Sequence, residues 1–165
     1  MEQDGGERAE RWSGIRSEIV DVAGTQVHLL RADGPADGPT QLLIHGLGGS
    51  GTNWLEVMSG LSEVGPVVAP DLPGFGRTEP PTPRGSRVGS NLGFLKVFAR
   101  TLGIDRADVH GNSMGGLLAV KLAAAAPELV DRLDGESPPS TTPDGKIKLP
   151  KAGAVRVGHF SVRIF

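Results

Sequence analysis

Three short apolar runs, Gln41-Leu-Leu-Ile-His45, Pro66-Val-Val-Ala-Pro70 and Ala107 to His110, each give way through a glycine- or proline-bearing stretch to a segment of helical periodicity. Runs of four or five residues bounded by turn signals are what strands covered on both faces look like. The helical segments are Asn53 to Leu61, with Thr52 as the expected N-cap and Trp54, Leu55, Val57, Met58 and Leu61 at helical spacing; Asn91 to Leu102, with Leu92, Leu95, Phe98, Ala99 and Leu102 on one face and Gly103 closing it; and Met114 to Ala126. Upstream, Ile19, Val20 and Val22 answer Val27, Leu29 and Leu30 across Ala23-Gly24-Thr25, which predicts a hairpin. The order β, β, β, α, β, α, β, α defines an α/β chain with a mostly parallel sheet, right-handed crossovers and helices on both faces. No internal repeat is apparent.

A chain of 165 residues, 38% hydrophobic, is the size of one domain with a real core. Its formal charge of −2 supplies no basic field for nucleic acid or an anionic membrane. With no cysteine there are no disulfides, no thiol catalysis and no thiolate metal site. His28, His45, His110 and His159 show no HxxxH-type spacing, so neither a metal nor another cofactor is expected. Residues 1–14 are polar without an apolar core, which reads as a disordered leader and not a signal peptide. The longest apolar stretch, Leu117 to Ala126, is interrupted by Lys121 and closed by Pro127, too short to span a bilayer. The expected location is the cytoplasm.

The chemistry concentrates at Gly111-Asn112-Ser113-Met114-Gly115-Gly116. This G-x-S-x-G pattern arises by chance roughly 0.25 times in a chain with 25 glycines, so its setting has to decide. It follows an expected strand and opens an expected helix, the context of a nucleophile elbow, and a β-carbon at Gly111 or Gly115 would clash with the neighbouring elements. Ser113 is therefore the expected nucleophile. The new helix presents free backbone N–H groups there, so the Met114 N–H is one expected oxyanion donor. The glycine-rich segment His45-Gly46-Leu47-Gly48-Gly49 follows the third strand, and the Leu47 N–H is the expected second donor, with His45 and Gly46 supporting the loop.

His45-Gly-Leu-Gly-Gly, Asn53-Trp54, Asp71-Leu-Pro-Gly-Phe-Gly-Arg-Thr78 and Gly111-Asn-Ser-Met-Gly-Gly116 resemble the successive signatures of the α/β-hydrolase superfamily, in its order and at its usual spacing. The resemblance covers roughly Ile19 to Leu133. It implies a Ser-His-Asp/Glu hydrolase working through an acyl-enzyme on a small acyl or ester substrate, as esterases, lipases, thioesterases and carbon–carbon bond hydrolases do. Serine at position 113 argues against the epoxide hydrolase and haloalkane dehalogenase branches, which place an aspartate there.

In that family the acid and then the histidine follow the serine. Only 52 residues follow Ser113, and with the elbow helix reaching about Arg132, the remainder is too short for further strands, their crossovers, an acid and a base. The expected organisation is a leader at 1–14, an amino-terminal hydrolase core at 15–133 truncated after the nucleophile helix, and a divergent, disordered or non-native tail at 134–165, beginning Asp134-Gly-Glu-Ser-Pro-Pro. Gly158-His159 is a candidate base, but a chance dipeptide in the β-like tail Ala154 to Phe165 accounts for it better. Asp131, Asp134 and Asp144 are unplaced as triad acids. Two readings follow: a serine hydrolase whose remaining parts are lost or supplied by a second chain, and a non-catalytic remnant or ligand-binding module with an open sheet edge after the fifth strand, prone to self-association.

Other residues have quieter expected roles. His45 holds loop geometry by hydrogen bonding more readily than it transfers protons. His110 is a packed strand residue rather than a base. Asp71 caps the turn Asp71-Leu-Pro-Gly74 through that turn's own amides. Trp54 is either core or pocket wall.

Overall fold

The computed structural model describes residues 12–80, 88–136 and 160–163. Strands β1 (Ile15–Val22) and β2 (Thr25–Ala32) pair antiparallel from Ile15 opposite Ala32 to Val22 opposite Thr25. Ala23 and Gly24 make the two-residue turn with φ of 51° and 86°. Positive φ at both central residues gives the turn a twist that matches the flanking strands, which is why so short a loop closes the hairpin. The chain continues through β3 (Thr40–Ile44), a 3₁₀ turn (Gly51–Trp54) leading into α1 (Leu55–Ser62), β4 (Val67–Pro70), α2 (Val88–Thr101), β5 (Ala107–Asn112), α3 (Met114–Ala125), β6 (Val130–Glu136) and β7 (Phe160–Arg163).

The described strands form one mixed sheet in the order β1-β2-β4-β3-β5-β6-β7. β2 runs antiparallel to both β1 and β4, and the pairs from β4 through β7 are parallel. Strand side chains alternate between two cores, as the period of two requires. Leu42, Ile44, Val68 and Val109 pack with Leu95, Phe98, Leu118 and Leu122 of α2 and α3. Leu43, Val67 and Ala69 turn to the other face and pack with Met58 of α1. Helices thus cover both faces, as the alternating pattern predicts.

Several local expectations are corrected. The cap before α1 is Ser50, not Thr52: its Oγ accepts from the Thr52 N–H, while Asn53 Oδ1 accepts from the Ser50 N–H. The segment begins as a 3₁₀ turn, whose entry lies two residues earlier than α-helical periodicity suggests. Helix α2 starts at Val88, three residues before the expected Asn91, and ends as expected with Gly103 at φ 67°. There the Ile104 N–H reaches back to the Ala99 carbonyl, closing the helix end.

The larger correction lies beyond α3. The helix ends before Pro127, in line with the expected Met114 to Ala126 and short of the reach to about Arg132, because proline lacks the N–H and clashes with the preceding turn. Val130–Glu136 is a strand parallel to β5, in register from Ala107 opposite Val130 to Asn112 opposite Glu136 with one irregularity near Ala107 and Asp108. Asp134-Gly-Glu therefore extends a strand instead of starting the tail. The edge of β5 expected to be open is occupied by β6, which pairs in turn with β7. Residues 1–11 of the expected leader and residues 137–159 and 164–165 of the expected tail, with Asp144 and His159, lie outside the described residues. No helix among the described residues is long and apolar enough to cross a membrane.

Leu42 is wholly buried at the centre of the sheet, whereas Ile19 is 67% exposed on β1. Leu42→Ala should cost about 2–5 kcal/mol through lost burial and a residual cavity, and Ile19→Ala should change stability by no more than about 0.5 kcal/mol. Urea denaturation of the two variants measures the contrast, and equal losses would contradict the placement of β3 in the core.

Candidate functional site

Strand β5 ends at Asn112 and helix α3 begins at Met114, so a single residue must reverse the chain between them. That residue is Ser113, with φ 54° and ψ −116°. A non-glycine residue in this sparsely populated region costs on the order of 1–3 kcal/mol and persists only where its surroundings over-determine it. The surroundings here are glycines. A β-carbon on Gly115 would press into the carbonyl oxygens of Ile44 and His45, the latter at 2.7 Å, and one on Gly111 would lie 2.6 Å from the Gly116 Cα. Helix α3 can start this close to β3 and β5 only because both positions lack side chains. Ser113 is left exposed at the carboxyl ends of the parallel strands, the usual side for ligands in such sheets.

Ser113 occupies the N-cap position of α3, yet its hydroxyl caps no backbone amide. The Met114 N–H is among the first-turn donors that have no partner within the helix. The glycine-rich loop after β3 lies against the elbow: a β-carbon on Gly46 would stand 3.2 Å from the Ser113 Cβ and 3.0 Å from Asn112 Oδ1. Gly46 to Gly49 form a turn in which the Gly49 N–H donates to the Gly46 carbonyl at 3.1 Å, with Gly48 at φ 71°. Leu47 sits at this tip with 76% of its surface exposed. The five expected elements of the elbow and loop (Ser113, Met114, Gly111, Gly115 and the Gly46–Leu47 segment) therefore converge on one end of the sheet.

His45 is fully buried, and both ring nitrogens are engaged. Nε2 accepts the Leu72 N–H at 3.0 Å, so the ring proton is on Nδ1, which donates to the Gly46 carbonyl at 2.7 Å. Phe75 packs against the ring edge-on, with centroids 5.5 Å apart. Burial pushes the imidazole below its ordinary pKa, against smaller opposing effects of the Gly46 carbonyl and the Asp71 charge. His45 is thus a neutral brace for the loop, as its sequence context suggests.

His110 is half-buried on β5, its Nε2 paired with Gln41 Oε1 at 2.8 Å and its Nδ1 3.9 Å from Asp134. Gln41 in turn donates to Asp108 Oδ2 at 3.2 Å. Burial lowers its pKa too, opposed by Asp134 and Asp108. Asp131 pairs with Arg106 at 2.9 Å on the surface. Trp54 is half-buried against the Met58 core.

Asp71 departs from the expected role. Its Oδ1 accepts from the Gly51 N–H at 2.6 Å, and Oδ2 accepts from the Arg77 N–H and from His28 Nδ1, both at 2.8 Å. It therefore ties the 3₁₀ turn, the β4 loop and β2 together instead of capping its own four-residue turn. His28, between Val27 and Leu29 on β2, is the member of this group to which the sequence assigns no role. Its position on a buried strand opposite a long polar loop is a signal of buried polar pairing, since a buried imidazole needs partners. Among the described residues no group of three or more histidine and acidic side chains is arranged to hold a metal ion.

The neutral state of His45 sets a pH dependence. A folded imidazole with a lowered pKa binds fewer protons than the unfolded chain, so its contribution to stability is full above about pH 6.5 and is lost as the pH falls below it. His110 acts in the same direction. Thermal unfolding should therefore occur at lower temperature at pH 5 than at pH 7.5, and His45→Gln should reduce this pH sensitivity while lowering stability overall. An unchanged pH slope in His45→Gln would contradict the assignment.

The model of the alpha/beta hydrolase fold matches residues 39–155. The chain is 41% identical over 113 residues to the dihydrolipoyllysine-residue acetyltransferase component of the acetoin cleaving system of Cupriavidus necator, covering 68% of this chain and 29% of that protein. It is 38% identical over 112 residues to the 2-hydroxy-6-oxo-2,4-heptadienoate hydrolase of Pseudomonas putida, covering 66% of this chain and 39% of that one. Among solved structures, a membrane phospholipase A described as a bacterial virulence factor superposes with a TM-score of 0.72 at 35% identity, over 81% of this chain and 43% of its own. The chain thus spans less than half the length of each of these proteins. A strand order with β2 alone antiparallel to its neighbours, a strained serine between β5 and α3, and these matches lead to one assignment: the chain belongs to the alpha/beta hydrolase fold family.

Proposed function

We propose that this chain carries the nucleophile and the oxyanion hole of a serine hydrolase acting on ester-like bonds. The observation that supports this most is the backbone of Ser113, held at φ 54° with a free hydroxyl beside the amino-terminal end of α3. Strain of this kind is kept where it positions a reacting group. In the proposed reaction Ser113 Oγ attacks the acyl carbon, and the developing oxyanion is received by the Met114 and Leu47 N–H groups. Collapse expels the alcohol and leaves an acyl-enzyme, which water then cleaves. The exposed Leu47 side chain beside Gly46 offers an apolar contact for the acyl portion. Likeness to a phospholipase at 35% identity favours an ester substrate.

His159, outside the described residues, is the candidate base from this chain. One observation favours the other reading, a non-catalytic module of the same fold: His28, His45 and His110 all bond to groups other than Ser113. The two readings separate in one experiment. The folded chain and Ser113→Ala are incubated with a fluorophosphonate and digested, and the phosphonylated peptides are mapped. The expected adduct is on the peptide carrying Ser113 and is missing in Ser113→Ala. An unmodified Ser113 in folded chain would overturn the proposal in favour of the non-catalytic module.

A further inference from the structure

Away from the elbow, three side chains from three segments form an unbroken hydrogen-bonded series. Ser17 Oγ lies 2.7 Å from His28 Nε2, and His28 Nδ1 lies 2.8 Å from Asp71 Oδ2. Register explains the first contact. Ser17 stands opposite Leu30 and Ile19 opposite His28, so Ser17 and His28 are diagonal neighbours on one face of the hairpin. His28 and Asp71 are buried, with 4% and 1% of their surface exposed, whereas Ser17 faces solvent. Four strand spacings separate β1 from β5, about 19 Å, so Ser17 lies far from Ser113.

The proton positions follow from the partners. Asp71 is held by the Gly51 and Arg77 amides, and a carboxylate accepts only, so His28 Nδ1 carries the ring proton. Nε2 is then the acceptor, and the Ser17 hydroxyl is the donor. A hydroxyl bonded to an imidazole that a buried carboxylate orients is the arrangement that activates a serine.

We infer that Ser17 is a second nucleophile, a surface acyl-acceptor site for small activated esters and organophosphorus electrophiles. Ser17 Oγ forms the bond to the acyl carbon, its proton passes to His28 Nε2, and the ester C–O bond breaks. The proton is then delivered to the departing alkoxide or phenolate, while Nδ1–H stays on Asp71. Ser17 is exposed on β1, which suits the site to small, reactive donors.

The test uses Ser113→Ala protein, so that the elbow contributes nothing. Incubation with p-nitrophenyl acetate followed by peptide mapping should show acetyl on the Ser17 peptide, absent when Ser17→Ala is added. Because the chain has no cysteine, Ser17→Cys gives an independent readout. Its alkylation by iodoacetamide at pH 7 should be about tenfold or more faster than that of Val64→Cys, an exposed control outside the hairpin, since an adjacent imidazole raises the thiolate fraction. Equal alkylation rates, or an unmodified Ser17 in folded protein, would overturn the inference and leave the Ser113 proposal untouched.

Discussion

Both oxygens of the Asp71 carboxylate are occupied by donors from other segments, and much of the functional end of the sheet depends on that fact. The Gly51 amide fixes the start of the 3₁₀ turn, the Arg77 amide folds the β4 loop back, and the His28 ring pins β2. One residue on, the Leu72 N–H holds His45, and His45 holds the Gly46 carbonyl against the elbow. Hydrogen bonds with an ionised partner are roughly twice as strong as neutral ones, and a buried group left unpaired is costly. Asp71 therefore couples the position of the Gly46–Leu47 loop to the pairing of the hairpin, across elements far apart in the sequence.

Strain at Ser113 is sustained by packing of a different kind. The elbow costs backbone energy, and nothing within the residue itself offsets it. The offset comes from α3, whose Leu118, Ala119, Leu122 and Ala123 are buried against β3, β5 and β6. That packing requires the helix to begin directly behind β5, close enough for Gly115 to touch the Ile44 and His45 carbonyls. The apolar face of α3 and the two glycines thus impose the left-handed backbone on the serine.

Elements governed by local pattern could be read from the residues: the hairpin, the parallel runs, the helices, the elbow and the Gly46–Leu47 loop. Those governed by tertiary contact could not. Val130-Asp-Arg-Leu-Asp-Gly-Glu136 alternates charge with only two apolar residues, so no periodicity marks it as a strand, yet the edge of β5 makes one of it. Ser50 was passed over because its cap serves a 3₁₀ turn, which lacks the helical apolar spacing. For Asp71 the local turn residues suggested a local role. Besides Arg77 in its own loop, its partners Gly51 and His28 lie 20 and 43 positions away and become neighbours only in the folded sheet.

The two buried histidines beside Asp71 show how partner chemistry, and not burial, decides what an imidazole can do. His45 is bonded to backbone at both nitrogens, an amide proton on one side and a carbonyl on the other. Neither partner can give up or take a proton at ordinary pH, so the ring is a spacer of fixed tautomer. His28 is bonded to a carboxylate on one side and a hydroxyl on the other. The carboxylate orients the ring and the hydroxyl has a proton to give, so this ring, also buried, becomes a route for proton transfer. Exposure of the hydroxyl to solvent then determines whether that route meets an electrophile, and on β1 it does, because Ser17 lies on the first strand of the sheet with its side chain uncovered.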